Sequence, residues 1–164
     1  MPAETSIYET DTYAWAMSQA AALRRAAVLR LNDVGLDYEN LAEEVEDLGK
    51  SQVRAMRSAL KVIAGHLATL EHSPSAEPRS GWRESVIEHR QRLDEALEES
   101  PSLTARLPEL AAKAWTGARE KAANGLARDG IPATVLPDAR PYPLDRLRAH
   151  GWYPTNRHGP SDPA

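Results

Sequence analysis

The sequence predicts an all-α protein: a helical bundle of about four main helices, with a long second helix and a proline-rich, mostly extended C-terminal tail. Three observations predict it. Apolar residues recur at spacings of three and four along most of the chain before Gly130, the mark of one helical face. Alanine, the best helix former, is used freely beside leucine and valine. No stretch shows the alternation of a half-buried strand, and seven of the 12 prolines fall at or after Pro132.

Residues 1–9 read as an arm. Thr10 or Asp11 caps a first helix running to about Leu31, with Tyr13, Ala16, Ala20, Leu23 and Ala27 on one face. Asn32, Asp33 and Gly35 break it. Asp37 caps the second helix. Leu41, Val45, Leu48, Met56, Leu60, Ile63, Leu67 and Leu70 mark its inward stripe, and it is expected to continue through Gly49 to about Glu71. Pro74 and Pro78 require a loop. Ser80 caps a third helix that places Trp82, Val86, Leu93 and Leu97 inward and ends at Ser100-Pro101, because the residue before proline disfavours helix. A fourth helical stretch opens at Ser102 and ends between Gly125 and Gly130. Beyond it only Leu144–Ala149 reads as helix, and Trp152 and Tyr153 are the side chains to pin the tail. The whole is read as a single helical domain over 1–154, with a disordered tail at 155–164.

Composition excludes several functions. At 164 residues the chain can bury a core without staples. It has no cysteine, so a disulfide framework, a thiol nucleophile and a cysteine-ligated metal are all excluded. Its net charge of −4 argues against wrapping a nucleic-acid backbone. No stretch approaches the roughly 20 apolar residues a membrane span needs. Glu4 and Glu9 lie where a signal peptide would be basic and apolar, so a cytoplasmic address is expected. With no phenylalanine, the bulky pieces of the core are expected to be Trp15, Trp82, Trp115 and Trp152.

The charges on the second helix are segregated. Asp37 to Asp47 holds six acids and no base; Lys50 to Lys61 holds four bases and no acid. At about 100° per residue, Glu39, Glu43 and Glu46 share a side with Lys50, Arg54, Arg57 and Lys61, opposite Leu41, Val45 and Leu48. That is a solvated face with helix-internal pairs. Glu44 and Asp47 turn instead toward the apolar stripe, where a carboxylate must be paired, hydrogen-bonded, metal-bound or protonated. Glu43, Glu44 and Asp47 are therefore the candidate metal ligands, for magnesium or manganese. Glu44 and His66 are the candidate catalytic residues if the chain is an enzyme. The run Glu43-Glu44-Val45-Glu46-Asp47 is similar to the Glu-Glu-x-x-Glu motif of all-helical nucleotide pyrophosphohydrolases, with Asp at the last position. The second half of that motif is missing, since Glu71 is followed three residues on by Pro74. No zincin motif, phosphate-binding glycine loop or nucleophile elbow is present.

His66 borders the apolar stripe, where a lone histidine is ordinarily a satisfied core residue. Arg79, Arg83, His89, Arg90 and Arg92 interleave with Glu84, Glu88, Asp94 and Glu95 and read as a mixed solvated face. Trp82 reads as a core anchor whose indole N–H finds a partner in the preceding proline loop.

An ordered series of motifs adds a resemblance. Tyr8-Glu9-Thr10-Asp11-Thr12-Tyr13-Ala14-Trp15 comes first, followed by Leu36-Asp37-Tyr38-Glu39-Asn40-Leu41-Ala42-Glu43-Glu44-Val45-Glu46-Asp47-Leu48-Gly49. His66-Leu67, Trp82 and Ser100-Pro101-Ser102-Leu103 complete it. To about Pro154 the chain resembles the bacterial domain-of-unknown-function family number twenty-nine. The resemblance implies a helical fold and occurrence in cyanobacteria and proteobacteria, and it supplies no activity. Where relatives continue after His66 with a Leu-Lys-Trp stretch, this chain reads Leu67-Ala68-Thr69-Leu70-Glu71.

The function expected on these grounds is a non-catalytic interaction or adaptor module with a protein partner, or a homodimer through the alanine-rich first helix, and with no cofactor. One alternative is a magnesium- or manganese-dependent hydrolase acting on a nucleotide or phosphoester through the carboxylates. A second is a nucleic-acid-binding protein using Arg79, Arg83, Arg90 and Arg92.

Overall fold

The structure is a computed structural model that describes residues 6–29 and 35–159. The expected breakers Asn32 and Asp33, the expected helix end at Leu31 and the last five residues of the tail lie outside the described residues. Among the described residues the secondary structure is helical throughout, with no strand and no helix long and apolar enough to cross a membrane.

Six α-helices appear among the described residues: α1 (Ile7–Thr10), α2 (Thr12–Leu29), α3 (Tyr38–His72), α4 (Arg79–Glu99), α5 (Leu107–Arg128) and α6 (Leu144–Arg148). Four of them are long. Residues 7–9, expected in an arm, are helical, because Ser6 accepts from the Tyr8 N–H and starts α1. Asp11 then interrupts the helix in an extended conformation and caps α2, accepting from the Ala14 N–H at 2.7 Å. The long helix starts as expected, with Asp37 accepting from the Asn40 N–H at 3.1 Å, and it passes Gly49 without a break. Ser51 lies inside it, its hydroxyl donating back to the Leu48 carbonyl. The stretch after Ser100 is a 3-10 helix, Pro101–Arg106, and only from Leu107 is it α-helical, with Pro108 in the first turn where its missing N–H costs nothing. At the other end of α5, Gly130 takes a φ of 75°, and Ile131 N–H returns to the Leu126 carbonyl at 3.0 Å. That closure needs a residue at ease with positive φ.

The chain divides into two compact units. The first comprises the described residues up to Ala55 together with Glu95–Ala105. On α2 and α3 its buried positions are small, Ala16, Ala20, Ala42 and Gly49, while Leu97 and Leu103 are its buried leucines. Helices that present alanine and glycine approach closely, and a Cβ on Gly49 would come within 3.3 Å of Tyr13 Cδ2 and 3.4 Å of Met17 Sδ. Polar links finish this unit. Asp11 also accepts from the Ser102 N–H at 2.7 Å and from its hydroxyl at 3.0 Å, and Ser100 Oγ accepts from the Tyr13 N–H at 3.1 Å. Burial pushes the Asp11 carboxyl up, but the hydrogen bonds from Ala14 and Ser102 outweigh it and hold the group below the usual carboxylate range.

The second unit comprises Met56–Asp94 and the described residues from Arg106 onward. Its core is large, with Leu60, Ile63, Leu67, Leu107 and Leu126 fully buried and Trp115 buried as well. The Trp115 indole donates to the Pro137 carbonyl at 3.1 Å. Trp115, not Trp82, is thus the anchored core indole. Two arginines expected on a solvated face are buried here instead. Arg79 caps the end of α3, donating to the Leu70 carbonyl at 3.0 Å. Arg90, only 1% exposed, donates to the carbonyls of Leu147 (2.9 Å), Arg146 (3.0 Å) and Trp152 (3.1 Å). The physical reason is shared: the last carbonyls of a helix have no internal partner and attract cations. Asn156 and Arg157 belong to the segment expected to be disordered; Asn156 donates to the Leu70 and Ser73 carbonyls, and the Arg157 N–H donates to that of Glu71 at 2.7 Å.

Candidate functional site

The residues singled out in the sequence do not share one unit. Glu43, Glu44 and Asp47 lie on α3 in the first unit, and His66 lies on α3 in the second. All three carboxylates are exposed. Among the described residues no three His, Asp or Glu side chains are grouped to hold a metal ion. Glu44 is therefore not turned toward the core as the helical wheel suggests. The wheel places Leu41, Val45 and Leu48 inward, yet Leu41 and Leu48 are 40% and 44% exposed while Ala42 and Gly49 are buried. This part of α3 is rotated by about one residue, roughly 100°, because its inward neighbours, Tyr13, Ala16 and Met17, fit against the absent side chain of Gly49. Glu46 is drawn to Arg24 of α2, with which it forms an ion pair, and Lys50 lies 3.5 Å from Glu46 and 3.6 Å from Asp47.

His66 borders a cleft of about 650 Å³ within the second unit. One wall is the face of α3 that carries Lys61, Gly65, His66 and Thr69, and the other is the face of α5 that carries Gly117, Lys121, Gly125 and Arg128. Trp82 of α4 also lines it, half-buried rather than enclosed in the core. Three of the lining positions are glycine. At Gly65 the helices approach until a Cβ would sit 3.5 Å from the Ala118 carbonyl oxygen, and over Gly117 the Lys61 stem lies where a Cβ would meet its Cδ at 3.0 Å. A Cβ on Gly125 would meet nothing within 4 Å.

Burial first, then the positive charge of Lys121 and the proximity of His89, hold the His66 imidazole below the usual histidine range. The ring is therefore neutral near pH 7. Among the described residues no carboxylate orients it and no hydroxyl is hydrogen-bonded to it, so the relay of a nucleophilic triad is not assembled. Asp129 at the cleft end accepts from the hydroxyls of Ser73 at 2.5 Å and Ser75 at 2.9 Å. The arrangement is equipped for binding. Lys121, Arg128 and the cleft-facing Trp82 are not legible as a group in the sequence, although the two glycines eight residues apart on α5 are the trace such a groove leaves.

A second polar cluster surrounds Glu71, which is 8% exposed. The Tyr142 hydroxyl donates to it at 2.6 Å, Arg157 Nε donates at 2.6 Å, and His72 Nε2 lies 3.9 Å away. Burial, and then the hydrogen bond to the Glu71 carboxylate, raise the Tyr142 phenol far above its ordinary range, so it is a fixed donor. Burial lowers His72 despite the attraction of Glu71. Its Nδ1 has no hydrogen-bond partner among the described residues. The other two arginines considered for nucleic acid are dispersed: Arg83 lies over the Tyr153 ring at 4.2 Å, and Arg92 pairs with Glu88.

Comparison with known proteins gives two findings. A family model described as "Domain of unknown function DUF29" matches residues 7–153. A crystal structure of an alpha-helical protein of unknown function from Rhodospirillum rubrum is similar, with a TM-score of 0.73 and 27% identity over 90% of this chain and 92% of that one. No curated protein matches.

Proposed function

The chain belongs to the DUF29 family, and on that premise we propose that it is a non-catalytic interaction module that docks a helix of a partner protein along the first part of α3. One observation carries this reading: Leu41 and Leu48, seven residues apart with Val45 between them, stand exposed on one side of α3. Steps of four and three are the spacing of a seam that a second helix covers. Asp37, Glu44 and Asp47, all exposed, line the outer flank of that seam. The partner helix that fits carries an apolar stripe beside basic residues, which the acids steer into register.

A synthetic helical peptide of leucine and lysine, with the leucines on one stripe, serves as the probe. Fluorescence anisotropy should show binding that weakens with salt and is lost in the double variant Leu41→Asp, Leu48→Asp. Equal binding by that variant overturns the seam. Magnesium and manganese should leave the melting temperature of the protein unchanged. A stabilisation of several degrees that disappears in Glu44→Ala would instead favour the metal-dependent phosphoester hydrolase.

A further inference from the structure

We propose that the cleft between α3 and α5 binds a small organic anion carrying a planar ring, of the nucleoside monophosphate class. Its volume of about 650 Å³ lies within the range of small-molecule sites. Its cations, Lys61, Lys121 and Arg128, come from two helices and outnumber its acids, Glu120 and Asp129. Asp129 is already committed to the hydroxyls of Ser73 and Ser75. Among the described residues none of the three cations has an ion-pair partner. The cleft thus holds positive charge that nothing described in the unit pairs with, the condition under which a phosphate or carboxylate is attracted.

The ring requirement comes from Trp82. Its indole is half-buried at the cleft and stacks on no aromatic side chain among the described residues. An aromatic face beside cations is the combination that receives a base and its phosphate together. His66, held neutral by burial and by Lys121, offers a donor or acceptor rather than a competing charge.

The test uses the whole protein and isothermal titration with AMP, UMP, adenosine and inorganic phosphate, alongside tryptophan fluorescence. AMP or UMP should bind, with adenosine and phosphate each about tenfold weaker or worse. Lys121→Met, a change at an exposed position, should weaken nucleotide binding about tenfold. Trp82→Leu should remove the fluorescence response. Gly125→Leu should abolish binding while the melting temperature holds, because its side chain grows into open space. Absence of binding by both nucleotides overturns the proposal. So does binding of adenosine or phosphate as tight as that of the nucleotides, or unchanged affinity in both Lys121→Met and Gly125→Leu.

Discussion

In the first unit, α2 and the first part of α3 bury only alanine and glycine and leave large apolar side chains exposed, whereas the second unit buries leucine, isoleucine and tryptophan beside its alanines. Among the described residues seven of the eight exposed large hydrophobics, including Val28, Leu29, Leu36, Leu41 and Leu48, belong to the first unit; only Ile87 belongs to the second. One helix follows both regimes: α3 turns Ala42 and Gly49 inward in its first part and Leu60, Ile63, Leu67 and Leu70 inward in its second. A fully buried leucine contributes about 1.5–3 kcal/mol relative to an exposed one, and an alanine much less. Close approach of small residues and burial of bulky ones are two ways to pack one helix. The first leaves apolar side chains exposed, while the second encloses them.

The second unit is the more sensitive to truncation of a buried side chain. Leu67→Ala, at a position with no exposure, should cost about 2–5 kcal/mol in denaturant unfolding. A loss below about 1 kcal/mol would mean that this core is not tightly packed around Leu67. The first unit should be sensitive in the opposite direction, to addition. Gly49→Leu must displace Tyr13 and Met17 and should cost about 1–3 kcal/mol. A neutral result would remove the close helix approach that explains the rotation of α3.

Acid should separate the two units further. His66 and His72 are held below their unfolded value of 6.5, so as pH falls through 6.5 the unfolded chain takes up protons before the folded one does. The stability these two histidines confer at neutral pH is therefore lost progressively below pH 6.5. The first unit has no histidine. Its Asp11, held below 3.8, keeps its contribution above that value and loses it only as pH falls through its lower folded pKa. Amide exchange read by mass spectrometry should show faster opening of the second unit as pH falls from 6.5 toward about 5, with the first unaffected. Uniform acceleration of both units would contradict the assignment, and replacing both histidines with glutamine should abolish the effect.

Most of the fold is legible in the sequence. Asp37, Pro74, Pro78 and Pro101 act through local backbone chemistry, so the helix boundaries they set can be read directly. The candidate site is less legible, for two physical reasons. A helical wheel ranks faces by hydrophobicity, but Gly49 and Ala42 win the inward face by fit, so Glu44 points outward. Charge patterning cannot tell a solvated arginine from one recruited by orphan carbonyls, so Arg79 and Arg90 read as surface although each donates to carbonyls near the end of another helix. The cleft is lined by residues of α3 and α5 and by a tryptophan from a third helix, a conjunction that exists only after folding.

The most direct test of the account is the thermal melting of Leu41→Asp, Leu48→Asp beside its peptide binding. If the seam is a docking surface, the melting temperature stays within a degree or two of the parent, because exposed substitutions shift stability by less than about 0.5 kcal/mol, while binding of the leucine–lysine peptide disappears. A melting temperature that falls by about ten degrees or more would place both leucines in the core, as the helical wheel has them, and contradict it.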